Sequence, residues 1–208
     1  MQLFDCGVEL AARGICHTAI LFRRHHDGHV APLSLHTHGF SLRETARRAG
    51  VSPAAYKHHF ADTRALMTAL AAIAFTRLAD GLEKADAMAG QSRRARLAAQ
   101  GAAYIGFALA ERALFDLMWR ASLLDLSDPG LLAEKTRAFD CLDRLARGAD
   151  APRKPYVDPA MAPTIACWSL VHGFARLMLD GGLGENNAQA RSADAILPAM
   201  LQMLDIRD

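Results

Sequence analysis

Ser41 to Phe60 reads S-L-R-E-T-A-R-R-A-G-V-S-P-A-A-Y-K-H-H-F, two short helical segments joined by a tight turn, and this stretch decides the fold. Leu42, Thr45, Ala46 and Ala49 share one helical face, and Ala46 is small enough for a second helix to cross closely. Gly50 can take the left-handed backbone that ends a helix without Cβ strain. Val51 plugs the turn, Ser52 is a good N-cap, and Pro53 suits the first helical position, where a missing N–H costs nothing. The exposed face of the second helix then carries Ala54, Tyr56, Lys57 and His58. That mixture of donors beside one small residue suits a helix that approaches phosphates and base edges in a DNA groove.

The rest of the chain supports an all-α protein. Ala, Leu and Arg are abundant, β-branched residues are scarce, and apolar residues recur at three- and four-residue steps. Phe4, Val8, Ala11, Ile15, Ala19 and Phe22 mark an amphipathic first helix over residues 4 to 24, able to pack on the helix-turn-helix. Asp62 reads as the N-cap of a long fourth helix that passes Phe75 and Leu78 and ends near Gly81. Ser92 caps a fifth, and a shorter helix covers Glu111 to Trp119. Asp128-Pro129 starts another that ends at Gly148, and Gly148 to Tyr156 is a loop. Asp158-Pro159 opens the next, which stops at Gly181-Gly182, and Ala188 to Ile206 forms the last. The expected domains are residues 1–80, reading DNA, and 81–208, forming a larger helical unit.

Charge follows the same division. The chain of 208 residues has a formal net charge of +2. Residues 1–60 hold seven Lys or Arg against four Asp or Glu, and eight of the nine histidines. The basic bias thus sits with the helix-turn-helix, although it is too small to identify a nucleic-acid binder by itself. Residues 25–40 form a polar segment containing His25, His26, His29, His36 and His38, whose spacing favours a loop over a metal site; no metal or cofactor is expected. Cys6, Cys16, Cys141 and Cys167 are far apart, as suits reduced, buried thiols. No signal peptide and no apolar run long enough to cross a membrane is read, so a cytoplasmic protein is expected.

The Ser41–Phe60 segment resembles the DNA-binding domain of the tetracycline-repressor (TetR) family, in which a Gly-Val-Ser turn leads to a short helix ending in His-Phe, here His59-Phe60. The family's usual tyrosine two residues before that histidine is Lys57 here, and the usual lysine at the start of the next helix is Thr63. The resemblance implies DNA contacts from Ser41, Arg43, Ser52, Ala54, Tyr56, Lys57, His58, His59 and Thr63.

Trp168 to Leu177, W-S-L-V-H-G-F-A-R-L, resembles the signature of TetR-type regulators whose ligand domain is named for a tryptophan, a histidine and a glycine. Tyr104 to Trp119 is similar to the segment that precedes it there, with Glu111-Arg112 where the family often has His-Pro. The resemblance implies a homodimer built on the last two long helices and a small-molecule pocket among the middle helices. Tyr104, Phe107, Phe115, Met118 and Trp119 are spaced to share one region, either core or pocket wall. Trp168 and His172 share a helical face, and Gly173 permits a close backbone approach. His172 reads as a structural or dimer contact ahead of a ligand contact. Asp116, Asp125 and Asp140 are candidates for a cationic ligand, although solvated helix-face acids are commoner.

The expected function is a ligand-responsive transcriptional regulator, a repressor that binds a palindromic operator as a homodimer and is released by a small-molecule effector. Two other classes compete with it. A helical interaction protein without DNA binding would fail to shift the duplex upstream of its own gene, whereas a regulator shifts it at low salt and releases it as salt rises. An enzyme would need Cys167 with His172, or Asp140 with Asp143, as a catalytic pair, but helical spacing points the first pair about 140 degrees apart. No enzyme is expected.

Overall fold

The structure is a computed structural model that describes residues 60–183 and 189–204. The helix-turn-helix expected at Ser41 to His59, the first helix and the His25–His38 segment lie outside the described residues. What is described is helical, without strands. The helices are α1 (Thr63–Met88), α2 (Arg93–Ala110), α3 (Arg112–Met118), α4 (Pro129–Arg147), α5 (Ala162–Leu179) and α6 (Gln189–Gln202). Short 3-10 turns occupy Ala121–Leu123 and Pro159–Met161.

Local chemistry set most of these boundaries. Carboxylates of Asp62 and Asp128 accept from the backbone N–H three residues on, at 2.8 Å in each case, and Ser92 Oγ does the same for Ala95 at 3.1 Å. Each satisfies an N–H that a helix start leaves unpaired. Gly148 and Gly181 follow α4 and α5 with positive φ, 106° and 75°. After α5 the Gly182 N–H bonds the Leu177 carbonyl at 2.8 Å and the Gly181 N–H that of Met178, the pair of backward bonds that glycine at a helix end permits. Residues 159–161, expected as the first turn of α5, are wound more tightly as a 3-10 turn before the α-helix begins.

Two expected ends are corrected. α6, expected to reach Ile206, stops at Gln202 and gives way to a turn. α1 runs past Gly81 to Met88, because a single glycine inside a helix costs only about 1 kcal/mol and the next turn is held from outside. Leu82 is buried, and Arg137 of α4 clasps Glu83 at 2.6 Å and Asp80 at 2.6 Å. The expected boundary between residues 80 and 81 therefore falls inside a continuous helix.

α1 is the central helix of the described body, packed by α4 on one side and α2 on another. Ala71, Ala74 and Ala79 are completely buried, and their small side chains let neighbouring helices approach while Leu66, Leu70, Phe75 and Leu78 fill the gaps. A helix covered on most sides must be apolar on most sides. Part of α1 is consequently apolar and long enough to cross a membrane by length and composition, which corrects the expectation that no such run exists; 56% of that window is buried inside the protein.

α2 lies across α5 and α6 on its other flank. Gly101 makes that crossing possible, since a Cβ there would lie 2.9 Å from Leu197 Cδ2 and 3.2 Å from Val171 Cγ1. A buried polar group ties α4 to α5: Thr164 Oγ1 donates to Asp143 at 2.6 Å, and Arg147 forks onto the same carboxylate. The Arg147 guanidinium holds the Asp143 carboxyl below the usual carboxylate range.

Candidate functional site

The helices line a partly open cavity of about 290 Å³. Each wall is one helical face: Phe75, Leu78 and Leu82 on α1, Gln100, Gly101 and Tyr104 on α2, Ala138, Phe139 and Leu142 on α4, and Cys167, Trp168 and Val171 on α5. The steps of three and four residues are the stripe that a helix turns toward one neighbour. Leu97 of α2, Leu201 of α6, Trp119, Lys135 and Tyr156 complete the lining. Tyr156, on the loop after α4, lies edge-on to Phe139 with ring centroids 4.9 Å apart.

Of the residues expected to bind a ligand, Tyr104, Trp119 and Trp168 line this cavity. Phe115 is fully buried and Met118 nearly so, and neither reaches the lining. Phe115 lies 5.7 Å from Tyr104, 6.1 Å from Trp119 and 5.4 Å from His172 by ring centroid, so it is the seat on which the lining aromatics rest. Phe107 packs on the core, partly buried, outside the lining. His172 also stands outside it, one layer back.

His172 and Tyr104 form a defined polar pair, Oη to Nδ1 at 2.8 Å. Burial pushes the Tyr104 phenol well above its ordinary value. Burial, reinforced by the Arg176 charge, pushes the His172 imidazole below its ordinary value. The phenol therefore keeps its proton and donates it to a neutral imidazole, leaving the imidazole proton on Nε2. Because the folded-state value is depressed, the contribution of His172 to stability is complete above about pH 6.5 and is lost as pH falls through the unfolded value toward the folded one. The thermal midpoint of the protein should thus drop more between about pH 7.5 and 5 than that of a His172→Gln variant, which keeps an acceptor. Parallel midpoint-versus-pH curves for the two proteins would contradict this role.

The acidic candidates have partners elsewhere. Asp116 is bound by Arg176, Asp140 by Arg153, and Asp125 accepts from Ser127 at 2.6 Å. None belongs to the lining. Nor are the imagined catalytic pairs assembled: Asp143 is engaged by Arg147, and burial raises the thiol of Cys167, keeping it protonated. Cys141 and Cys167 are free, buried thiols, as expected for them; Cys6 and Cys16 lie outside the described residues. Gly173 meets nothing within 4 Å of a built Cβ, so the close approach expected there is not made by another described part of this chain. Thr63 is exposed at the first position of α1, and the other expected DNA contacts fall outside the described residues.

Several lining residues were not picked out from the sequence: the α1 stripe, Gln100, Lys135, Phe139, Tyr156 and Leu201. Gln100 had a readable signal, because Leu97, Gln100, Gly101 and Tyr104 fall on one helical face and a lone amide in such a stripe is out of place. Leu201 had no signal beyond the stripe that marks it as covered.

The profile described as "Tetracyclin repressor-like, C-terminal domain" matches residues 97–204, and these contain the α2, α4, α5 and α6 walls of the cavity. A solved structure, "Structure of a protein with unknown function from Rhodococcus sp. RHA1", is 29% identical, covers 93% of this chain with 92% of its own, and superposes with a TM-score of 0.66. No curated protein matches the chain. With the family profile spanning more than half of its length, the chain belongs to the tetracycline-repressor-like family.

Proposed function

We propose that the protein is a ligand-responsive transcriptional regulator, a cytoplasmic repressor that binds a palindromic operator as a homodimer and lets go when a small molecule fills the cavity. One observation carries this reading: the cavity is walled at once by α1 and by α5 and α6. α1 begins three residues after Phe60, at the end of the stretch that resembles a helix-turn-helix. A molecule that wedges between α1 and α5 moves the start of α1 relative to the two helices expected to hold the dimer. The spacing of the two DNA-reading heads then changes, and operator affinity falls by linkage. The resemblance of Trp168–Leu177 to the Trp-His-Gly type of ligand domain supports the same assignment.

The outer faces of α5 and α6 suit a two-fold partner. α5 leaves Ala162, Ala166, Ser169 and Leu177 exposed along one stripe, and Ile196 and Met203 are exposed at the end of the chain. Self-complementary apolar stripes are the simplest basis for a symmetric dimer.

The test is binding to the duplex upstream of its own gene, measured by fluorescence anisotropy across a salt series. Lys57 is the residue that the family resemblance places against a phosphate. Lys57→Ala should weaken binding to all sequences similarly and flatten the slope of log affinity against log salt by about one unit. An unchanged slope removes Lys57 from the interface. Absence of any shift at low salt favours instead an interaction protein without DNA binding, a reading that draws on the Lys57 and Thr63 departures.

A further inference from the structure

The apolar lining of the cavity carries a single charge. Among the described residues that form it, Lys135 is the one cation and there is no carboxylate. Lys135 makes no hydrogen bond or ion pair with another described residue. The nearest acids on α4 are taken: Glu134 is held by Arg137 at 3.4 Å, and Asp140 by Arg153.

Geometry puts that charge at the opening. Lys135 is half-buried and stands one helical turn before Phe139, whose ring meets that of Tyr156 at 4.9 Å between centroids. Tyr156 is 53% exposed, so this side of the cavity is the one that faces water. A lysine stem lies along apolar surface while its ammonium stays hydrated, and the Lys135 ammonium accordingly belongs at the rim. From there the lining rings follow one another inward. Phe139 meets Trp168 at 6.1 Å, Trp168 meets Trp119 at 5.5 Å, and Trp119 meets the buried Phe75 at 5.7 Å.

Taking the cavity to be the effector site, as argued above, we propose that it selects an amphiphilic monoanion, a hydrocarbon body bearing one carboxylate. The carboxylate sits at Lys135 and the body lies along the rings from Tyr156 to Phe75. One cation matches one negative charge, whereas an ammonium head would meet a like charge with no carboxylate in the lining to offset it. A volume of about 290 Å³ is at the lower end of the range for small-molecule pockets, about 300–1,000 Å³, which suits a small acid.

Two matched pairs test it at about pH 7.5, where the acids are ionised: 4-phenylbutanoate with 4-phenylbutanamide, and octanoate with octanamide, each titrated calorimetrically into the full-length protein. The two pairs distinguish an aryl from an alkyl body. Within a pair that binds, the acid should bind about tenfold more tightly than its amide at low salt, and the gap should narrow as salt rises. Lys135→Gln removes the charge at little cost in helix propensity and should bind acid and amide equally. Lys135→Glu should prefer the amide. Both tryptophans of the chain, Trp119 and Trp168, line the cavity, so a change in tryptophan emission reports its filling. An acid preference that persists in Lys135→Gln, or amides that bind the wild-type protein as tightly as the acids while changing the emission, overturns the charge assignment and leaves the effector-site reading standing. Binding of no probe at millimolar concentration, or binding that leaves the emission unchanged, overturns the effector-site reading and this inference with it.

Discussion

Phe115→Ala should cost the protein about 3–5 kcal/mol, the range for removing a large aromatic side chain from a packed core. Phe115 has no exposed surface and supports Tyr104, Trp119 and His172 through ring contacts at 5.4–6.1 Å. α3 is only seven residues long, too short to be stable alone, so its position depends on this burial. At roughly 2–4 °C per kcal/mol for a chain of this size, the thermal midpoint should fall by about 6–20 °C. Val157→Ala serves as the control, because Val157 is 93% exposed and its loss should leave the midpoint nearly unchanged. A fall for Phe115→Ala no larger than that of Val157→Ala would show that the ring is not a structural seat for the cavity wall.

Gly173→Glu should separate folding from assembly. Within one chain nothing lies within 4 Å of a Cβ at this position, and glutamate is a better helix former than glycine by several tenths of a kcal/mol. The isolated fold therefore tolerates the change. In the proposed dimer, however, the position faces the partner beside the Ala162, Ala166, Ser169 and Leu177 stripe of α5. A carboxylate there loses its water and meets its own copy across the two-fold axis. Sedimentation should show a soluble monomer with native helicity, or an insoluble product where the exposed stripe aggregates. Operator affinity should fall by about 10²-fold or more, because two half-sites are no longer engaged together. Gly173→Ala adds one methyl group and should remain dimeric. An intact dimer of soluble Gly173→Glu protein would place the interface elsewhere.

The amino-acid sequence by itself determined where most helices begin and end. Asp62, Ser92 and Asp128 start them, and Gly148 and Gly181 end them, because capping and positive φ depend on atoms within a few residues of each other. Helical spacing grouped Tyr104, Phe107, Phe115, Met118 and Trp119, and separately Trp168 with His172; of these seven, Tyr104, Trp119 and Trp168 line the cavity. Tertiary structure decided what local rules do not contain. α1 continues past Gly81 because Arg137, more than 50 residues away in the chain, ties Glu83 and Asp80 to α4. The cavity likewise exists only where faces from five helices meet, so the stripe that marks Leu201 as covered does not say that it lines a cavity. Phe115 and His172 share that region of the sequence pattern, yet packing sets them behind the wall, one as its seat and the other as the acceptor for Tyr104. A periodic stripe says that a side chain is covered; which neighbour covers it, and whether a space remains between them, is settled by the distances between helices.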